Sequence, residues 1–144
     1  MMNHIEKIAE RLSEWEVDAV LVTSEPGEFY TVGFHGEGVA LIAPDKTWYY
    51  TDPRYIEAAE QQICGAEVSL PEKGKGYRAM VRDLVEKLGI RKLGFEDEYM
   101  PVCEFEHWKQ IISVDLVPVS RKLLKLQIVK DEEELAAMRE AQRI

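Results

Sequence analysis

Tyr77, Met80, Val81, Leu84, Val85 and Leu88 recur at intervals of three and four residues, and Gly89 follows directly. That spacing puts the apolar side chains on one helical face, and a glycine just past the end can take the left-handed C-cap conformation without steric cost. A helix with one apolar face must bury it against another layer, so its neighbours in sequence decide the fold class. Those neighbours read as strands. Lys92 to Glu96 follows the helix as a short strand. Far upstream, Asp18 leads into Ala19-Val20-Leu21-Val22-Thr23, a largely β-branched run closed by the turn signal Glu25-Pro26-Gly27, which suits a buried strand.

The rest of the chain keeps this alternation. Asn3 and Glu6 read as a capping pair for a helix that places Ile5, Ile8, Ala9 and Leu12 on one face and runs to about Trp15. An aromatic-rich stretch from Phe29 to Phe34 contains Gly33 and opens into the loop His35-Gly36-Glu37-Gly38. Val39 to Ala43 and Thr47 to Thr51 flank Pro44-Asp45-Lys46, the pattern of an antiparallel hairpin. Within its second arm Trp48 and Tyr49 point to opposite faces, so one belongs to the core and the other to a neighbour or solvent. A helix from Pro53 to about Gln62 is expected after Asp52 as N-cap, then a strand from Glu67 to Leu70 and a loop from Glu72 to Gly76. Pro101 to about Ile111 reads as a helix and Val114 to Val119 as a last strand. The expected fold is α/β, three layers around a mixed sheet of five to six strands. Asp131 as N-cap with Glu134 three residues on reads as a new helix start, with Leu135, Ala136, Met138 and Ile144 on its face. That helix reads as a truncated connection.

The 144 residues and 46% apolar content suffice for one domain with a real core. The formal net charge of −9 would repel a phosphate backbone, and the cations are scattered among more numerous acids, so nucleic acid is not expected as a partner. No apolar run approaches membrane-spanning length and the start is polar, so no membrane association and a cytoplasmic location are expected. Cys64 and Cys103 are too few for a disulfide framework and are expected as reduced, partly buried thiols.

Asp18 to Thr23, Tyr30-Thr31-Val32-Gly33-Phe34 and Thr51-Asp52-Pro53-Arg54-Tyr55, in that order and spacing, resemble the amino-terminal domain of the creatinase/prolidase/aminopeptidase P family. Leu93-Gly94-Phe95-Glu96 is similar to a later strand of that domain. Ile128 to Glu134 with Ala141 and Ile144 is similar to the first helix of the family's catalytic domain. The resemblance covers the whole chain and implies a three-layer α/β/α domain with a ribonuclease H-like motif over residues 1–124, followed by a linker and the truncated first helix of a further domain over residues 125–144. It also implies a parent that cleaves the bond before proline in short peptides, using two divalent ions (Mn, Co or Zn) held by a carboxy-terminal catalytic domain. This chain would then be non-catalytic, partnered by that domain and by a second copy in a homodimer, helping to set access of the proline-containing substrate. A creatinase-like amidinohydrolase parent, or a silent interaction module such as the related histone-chaperone subunit, carries the same domain. Where the family usually has Asn three residues before Tyr30, this chain has Gly27, which removes a side chain able to bond its own turn.

Residue by residue, the chemistry points the same way. A dinuclear hydrolase needs several carboxylates and an imidazole converging on its metals. His4, His35 and His107 fall in separate elements; Cys103 and His107 could share a helix face, but no second pair completes a zinc site. Glu96-Asp97-Glu98 and Asp83 are read as solvated acids rather than a metal cluster. Gly33, Gly36 and Gly38 have the wrong spacing for a phosphate loop and precede a strand. No catalytic or metal-ligating residue is assigned. The resemblance directs the His35-Gly36-Glu37-Gly38 loop toward the active site, its glycines allowing another surface to approach. His35 and Glu37, with Phe34, Arg54 and Tyr55, are therefore the expected accessory contacts to substrate or interface. Asp52 and Gly33 are expected as turn residues, Asp52 pairing with Arg54 across Pro53.

Overall fold

The computed structural model describes residues 4–142 apart from residue 73. Among them the elements run α1 His4–Arg11, β1 Ala19–Val22, α2 Glu25–Val32, β2 Val39–Ile42, β3 Thr47–Tyr50, α3 Ile56–Gln62, β4 Glu67–Ser69, α4 Tyr77–Leu88, β5 Lys92–Phe95, α5 Val102–Ile111, β6 Asp115–Pro118 and α6 Ser120–Gln142. The strands form one mixed sheet in the order β4-β3-β2-β1-β5-β6. β1 pairs antiparallel with β2 and parallel with β5, and all four of its residues are buried, as a central strand covered on both faces requires. β2 and β3 form the expected antiparallel hairpin, while β4 and β6 complete the edges in parallel.

Two apolar clusters lie on opposite faces of this sheet, which makes the domain three-layered. One gathers Ile5 and Ile8 from α1, Leu12 just after it, Val32 from α2, Ala59 from α3 and Leu123 from α6 against Val20, Val22, Ala40 and Ile42. The other packs Val81, Leu84 and Val85 of α4 and Trp108 of α5 against Ala19, Leu21, Leu41 and Leu93. Burial of a side chain such as Leu84 or Val81 is worth about 1.5–3 kcal/mol, so these two sets dominate stability. Tyr49 is the core member of its pair and Trp48 the half-buried one, with Lys46 Nζ 5.3 Å from the Trp48 ring.

Several expectations are corrected. Glu25-Pro26-Gly27 does not turn the chain back; it is the first turn of α2, entered through Ser24, whose hydroxyl accepts from the Gly27 amide. Proline is tolerated there because first-turn amides need no intrahelical acceptor. Asp52 does not cap α3, which starts at Ile56 after Tyr55. Asp131 lies inside α6 rather than at a helix start, since that helix begins at Ser120 and runs unbroken. Its first residue is held by Ser120 N–H donating to Asp97 and by the Ser120 hydroxyl accepting from Glu98 N–H. The proposed Asn3 cap lies outside the described residues. Cys64 and Cys103 are exposed, not partly buried. α4 ends as expected at Gly89, with φ of 67° and its amide bonded back to Val85 and Glu86.

Candidate functional site

Gly33 ends α2 in the left-handed conformation, φ 69°, and releases the chain into residues 34–38. What shapes this loop is Glu28, a residue no local pattern singles out. It is only 3% exposed, and its carboxylate accepts from Gly36 N–H at 3.2 Å, Gly38 N–H at 2.7 Å and the Tyr49 hydroxyl at 2.6 Å. A buried carboxylate requires such donors, because desolvation without them would cost several kcal/mol. Burial, then the bond to Glu28, pushes the Tyr49 phenol far above its usual range, so it stays a donor. The loop glycines serve this arrangement rather than an outside surface. A Cβ on Gly38 would sit 2.3 Å from the Tyr50 carbonyl oxygen, and one on Gly36 2.5 Å from the Phe34 ring.

Phe34 likewise turns inward. It is buried, meeting Tyr49 and Tyr55 edge-on with centroids 6.5 Å away in each case, so it is a core residue and not an accessory contact. His35 and Glu37 point outward. His35 stacks on Phe29 at 4.5 Å, with Nδ1 3.6 Å from Glu25 Oε1. Glu37 takes a left-handed φ of 51° and accepts from Arg54 Nη2 at 2.8 Å. The same guanidinium donates to Asp52, whose Oδ1 also accepts the Arg54 amide, which fixes the turn across Pro53. The hydrogen bond from Arg54 holds the Asp52 carboxyl below its ordinary value. Tyr55 packs beneath, half-buried, with the guanidinium carbon 5.1 Å from its ring.

His35, Glu37 and Tyr55 border a cleft of about 850 Å³ whose other walls include Thr23 and Ser24 after β1, Gly38 and Val39 at the start of β2, and residues of α4 and α5. Its Thr23–Ser24 wall adjoins the sheet's switch point. After β1 the chain passes to the face carrying α2, and after β5 to the face carrying α5, so the sheet's switch point lies between these neighbouring parallel strands. Open α/β sheets place ligands outside the carboxyl ends of strands at such a point. Beside the cleft, Glu96, 2% exposed, accepts from Thr23 N–H, Ser24 N–H and the Ser24 hydroxyl. Glu96 is thus a tie between strand ends and not a solvated acid. It also explains Gly27, where a Cβ would lie 2.3 Å from Glu96 Oε2.

A model of the creatinase/prolidase N-terminal domain matches residues 4–129. The chain belongs to that family. It is 35% identical over 142 residues to the uncharacterized peptidase YqhT of Bacillus subtilis (strain 168), covering 97% of this chain and 40% of that protein. It is similar in structure to the Xaa-Pro dipeptidase from Bacillus anthracis, with TM-score 0.78 and 31% identity over 85% of this chain and 34% of that one. The N-terminal domain of the cytoplasmic peptidase PepQ from Mycobacterium tuberculosis H37Rv has the same fold, with TM-score 0.74 and 23% identity, covering 85% of this chain and 97% of that one. The chain therefore spans about two fifths of the curated relative and a third of the Bacillus anthracis enzyme.

In this creatinase/prolidase N-terminal domain the described residues include no group of three or more His, Cys, Asp or Glu able to hold a metal ion. Among described residues no helix is long and apolar enough to cross a membrane. Reading the sequence alone missed Arg78, Glu104 and Trp108 as cleft residues. Arg78 directly follows Tyr77, at a helix start preceded by Gly76 and free of acidic residues in its first turn, and that was the available signal.

Proposed function

We propose that this domain is the non-catalytic amino-terminal part of a longer, metal-dependent Xaa-Pro dipeptidase or aminopeptidase P-type enzyme, where it shapes substrate access and contributes to a homodimer. The observation that carries this reading is the bracing of the His35–Gly38 loop. Two outward polar side chains stand at the rim of a cleft while the loop backbone is fixed from behind by Glu28 and the Glu37 carboxylate is held by Arg54. A loop held this way presents His35 and Glu37 without the entropy cost of ordering them on contact. The chain's share of its relatives' length supports a catalytic domain beyond it, and a relative named as an Xaa-Pro dipeptidase supports the substrate class. The two divalent ions, Mn, Co or Zn, belong in this reading to that further domain. The relative described as cytoplasmic supports the same location here.

The test is the double variant His35→Ala/Glu37→Ala in the full-length protein. The KM for an Xaa-Pro dipeptide or the dimer dissociation constant is expected to change several-fold. If both keep their wild-type values, the loop has no such role.

A further inference from the structure

The cleft also reaches the start of α4 and a face of α5. Gly76, Tyr77, Arg78 and Ala79 line it, so the N-terminal turn of a twelve-residue helix opens into it. The first amides of any helix have no intrahelical acceptor, and together they carry the positive end of its dipole. Ser24 caps α2 and Asp97 accepts the first amide of α6, while α3 and α5, which lack a side-chain cap, carry Glu57 and Glu104 in their first turns. At α4 the N-cap is Gly76, which has no side chain to offer, and no acidic residue occupies the first turn.

Two side chains beside this turn share the same surplus of donors. Trp108 is 2% exposed, lines the cleft, and its buried indole Nε1–H has no acceptor. Arg78 lies with its guanidinium carbon 5.9 Å from the Trp108 ring, and its buried Nε has none either. Buried donors are nearly always paired, because leaving one unmade costs about 1–3 kcal/mol. Two unpaired donors and an uncapped helix terminus in one cleft call for an acceptor from outside the domain.

The neighbouring acids do not fill that need. Glu28 and Glu37 hold donors of their own, and Glu25 faces His35. Glu104, one helical turn before Trp108, lines the same cleft with no ion-pair partner among the described residues. An unpaired acid disfavours a bare anion and favours a ligand that brings a positive charge with its carboxylate. We propose that this part of the cleft binds a small zwitterion, an amino acid or short peptide, with its carboxylate on Arg78, the Trp108 indole and the first amides of α4, and its ammonium toward Glu104. The inference stands apart from the peptidase reading, since it concerns binding to this domain alone.

The test is a titration of the ¹⁵N-labelled chain with glycylglycine, followed by NMR. The Trp108 indole and the Arg78 and Ala79 amide resonances are expected to shift saturably. Arg78→Gln should weaken that binding about tenfold, the scale of one charge-assisted hydrogen bond. Should Arg78→Gln lose the dispersed spectrum of a folded protein, Arg78→Lys, which keeps the charge but not the fork, takes its place with the same expectation. N-acetylglycine should bind more weakly than glycylglycine, and Glu104→Gln should remove that difference. No saturable shift, an equal response to the uncharged N-acetylglycinamide, or unchanged binding in the Arg78 variant would overturn the carboxylate site. Equal affinity for N-acetylglycine would overturn the role given to Glu104.

Discussion

The Tyr49 hydroxyl donates to Glu28 Oε2 at 2.6 Å, joining a central strand to the helix α2 through two buried groups 21 residues apart. Around this bond the Gly36 and Gly38 amides complete the coordination of the carboxylate. Tyr49→Phe should destabilise the chain by about 1.5–3 kcal/mol, the range for hydrogen bonds to charged groups. Glu28→Ala orphans three donors at once and should cost about 3–5 kcal/mol. In a urea-unfolding double-mutant cycle the two changes should couple by about 1–3 kcal/mol. Additive losses would mean that the bond does not organise the loop.

Two glycines of the same loop region should respond differently to alanine. Gly33 has open space around its Cβ position but a φ of 69°, so Gly33→Ala meets only the left-handed backbone penalty of about 1–2 kcal/mol. At Gly38 the added atom collides with the backbone oxygen of Tyr50, which cannot swing aside as a side-chain end could. Gly38→Ala is expected to lower the melting temperature more than Gly33→Ala. The reverse order would show that the close approach at Gly38 is not a constraint.

Glu96 closes the gap between the ends of β1 and β5. Glu96→Ala strips acceptors from the Thr23 and Ser24 amides and should cost about 2–4 kcal/mol. Ser24→Ala removes the helix cap and one donor to Glu96, and about 1–2 kcal/mol is expected. Equal small losses in chemical denaturation, below about 0.5 kcal/mol as for ordinary surface changes, would return Glu96 to the solvated role its sequence neighbours suggest.

How far the sequence disclosed this fold depends on the range over which each signal acts. Helix α4 was legible because its apolar spacing and Gly89 are local. The hairpin of β2 and β3 was legible for the same reason. Helix α2 was not, because proline and glycine in a first helical turn look like a turn between strands unless Ser24 is recognised as the cap. Glu28 and Glu96 were invisible as buried anions. The donors to Glu28 lie 8, 10 and 21 residues away, and those to Glu96 72 and 73. No sequence window joins such groups before the sheet is assembled. Phe34 is expected from sequence as an accessory contact because it adjoins the loop, yet its ring meets two tyrosines inside.

Asp18 gives a pH dependence with a definite sign. Hydrogen bonds from the Arg91 amide and then the Lys92 amide hold its carboxyl below the ordinary 3.8. A folded-state value below the unfolded one means stabilisation that is present above the unfolded value and lost as pH falls through the folded one. The stability difference between wild type and Asp18→Asn should therefore be constant near neutrality and shrink below about pH 4. Thermal melts at several pH values check this; a difference that grows toward acid would reverse the assignment.

The most direct measurement of the account as a whole is hydrolysis of an Xaa-Pro dipeptide in the presence of Mn or Co, by this chain and by the full-length protein side by side. The account predicts turnover by the longer protein and none by the 144-residue chain. Metal-dependent turnover by the chain alone would contradict it, because no group of three or more His, Cys, Asp or Glu able to hold a metal ion gathers among the described residues.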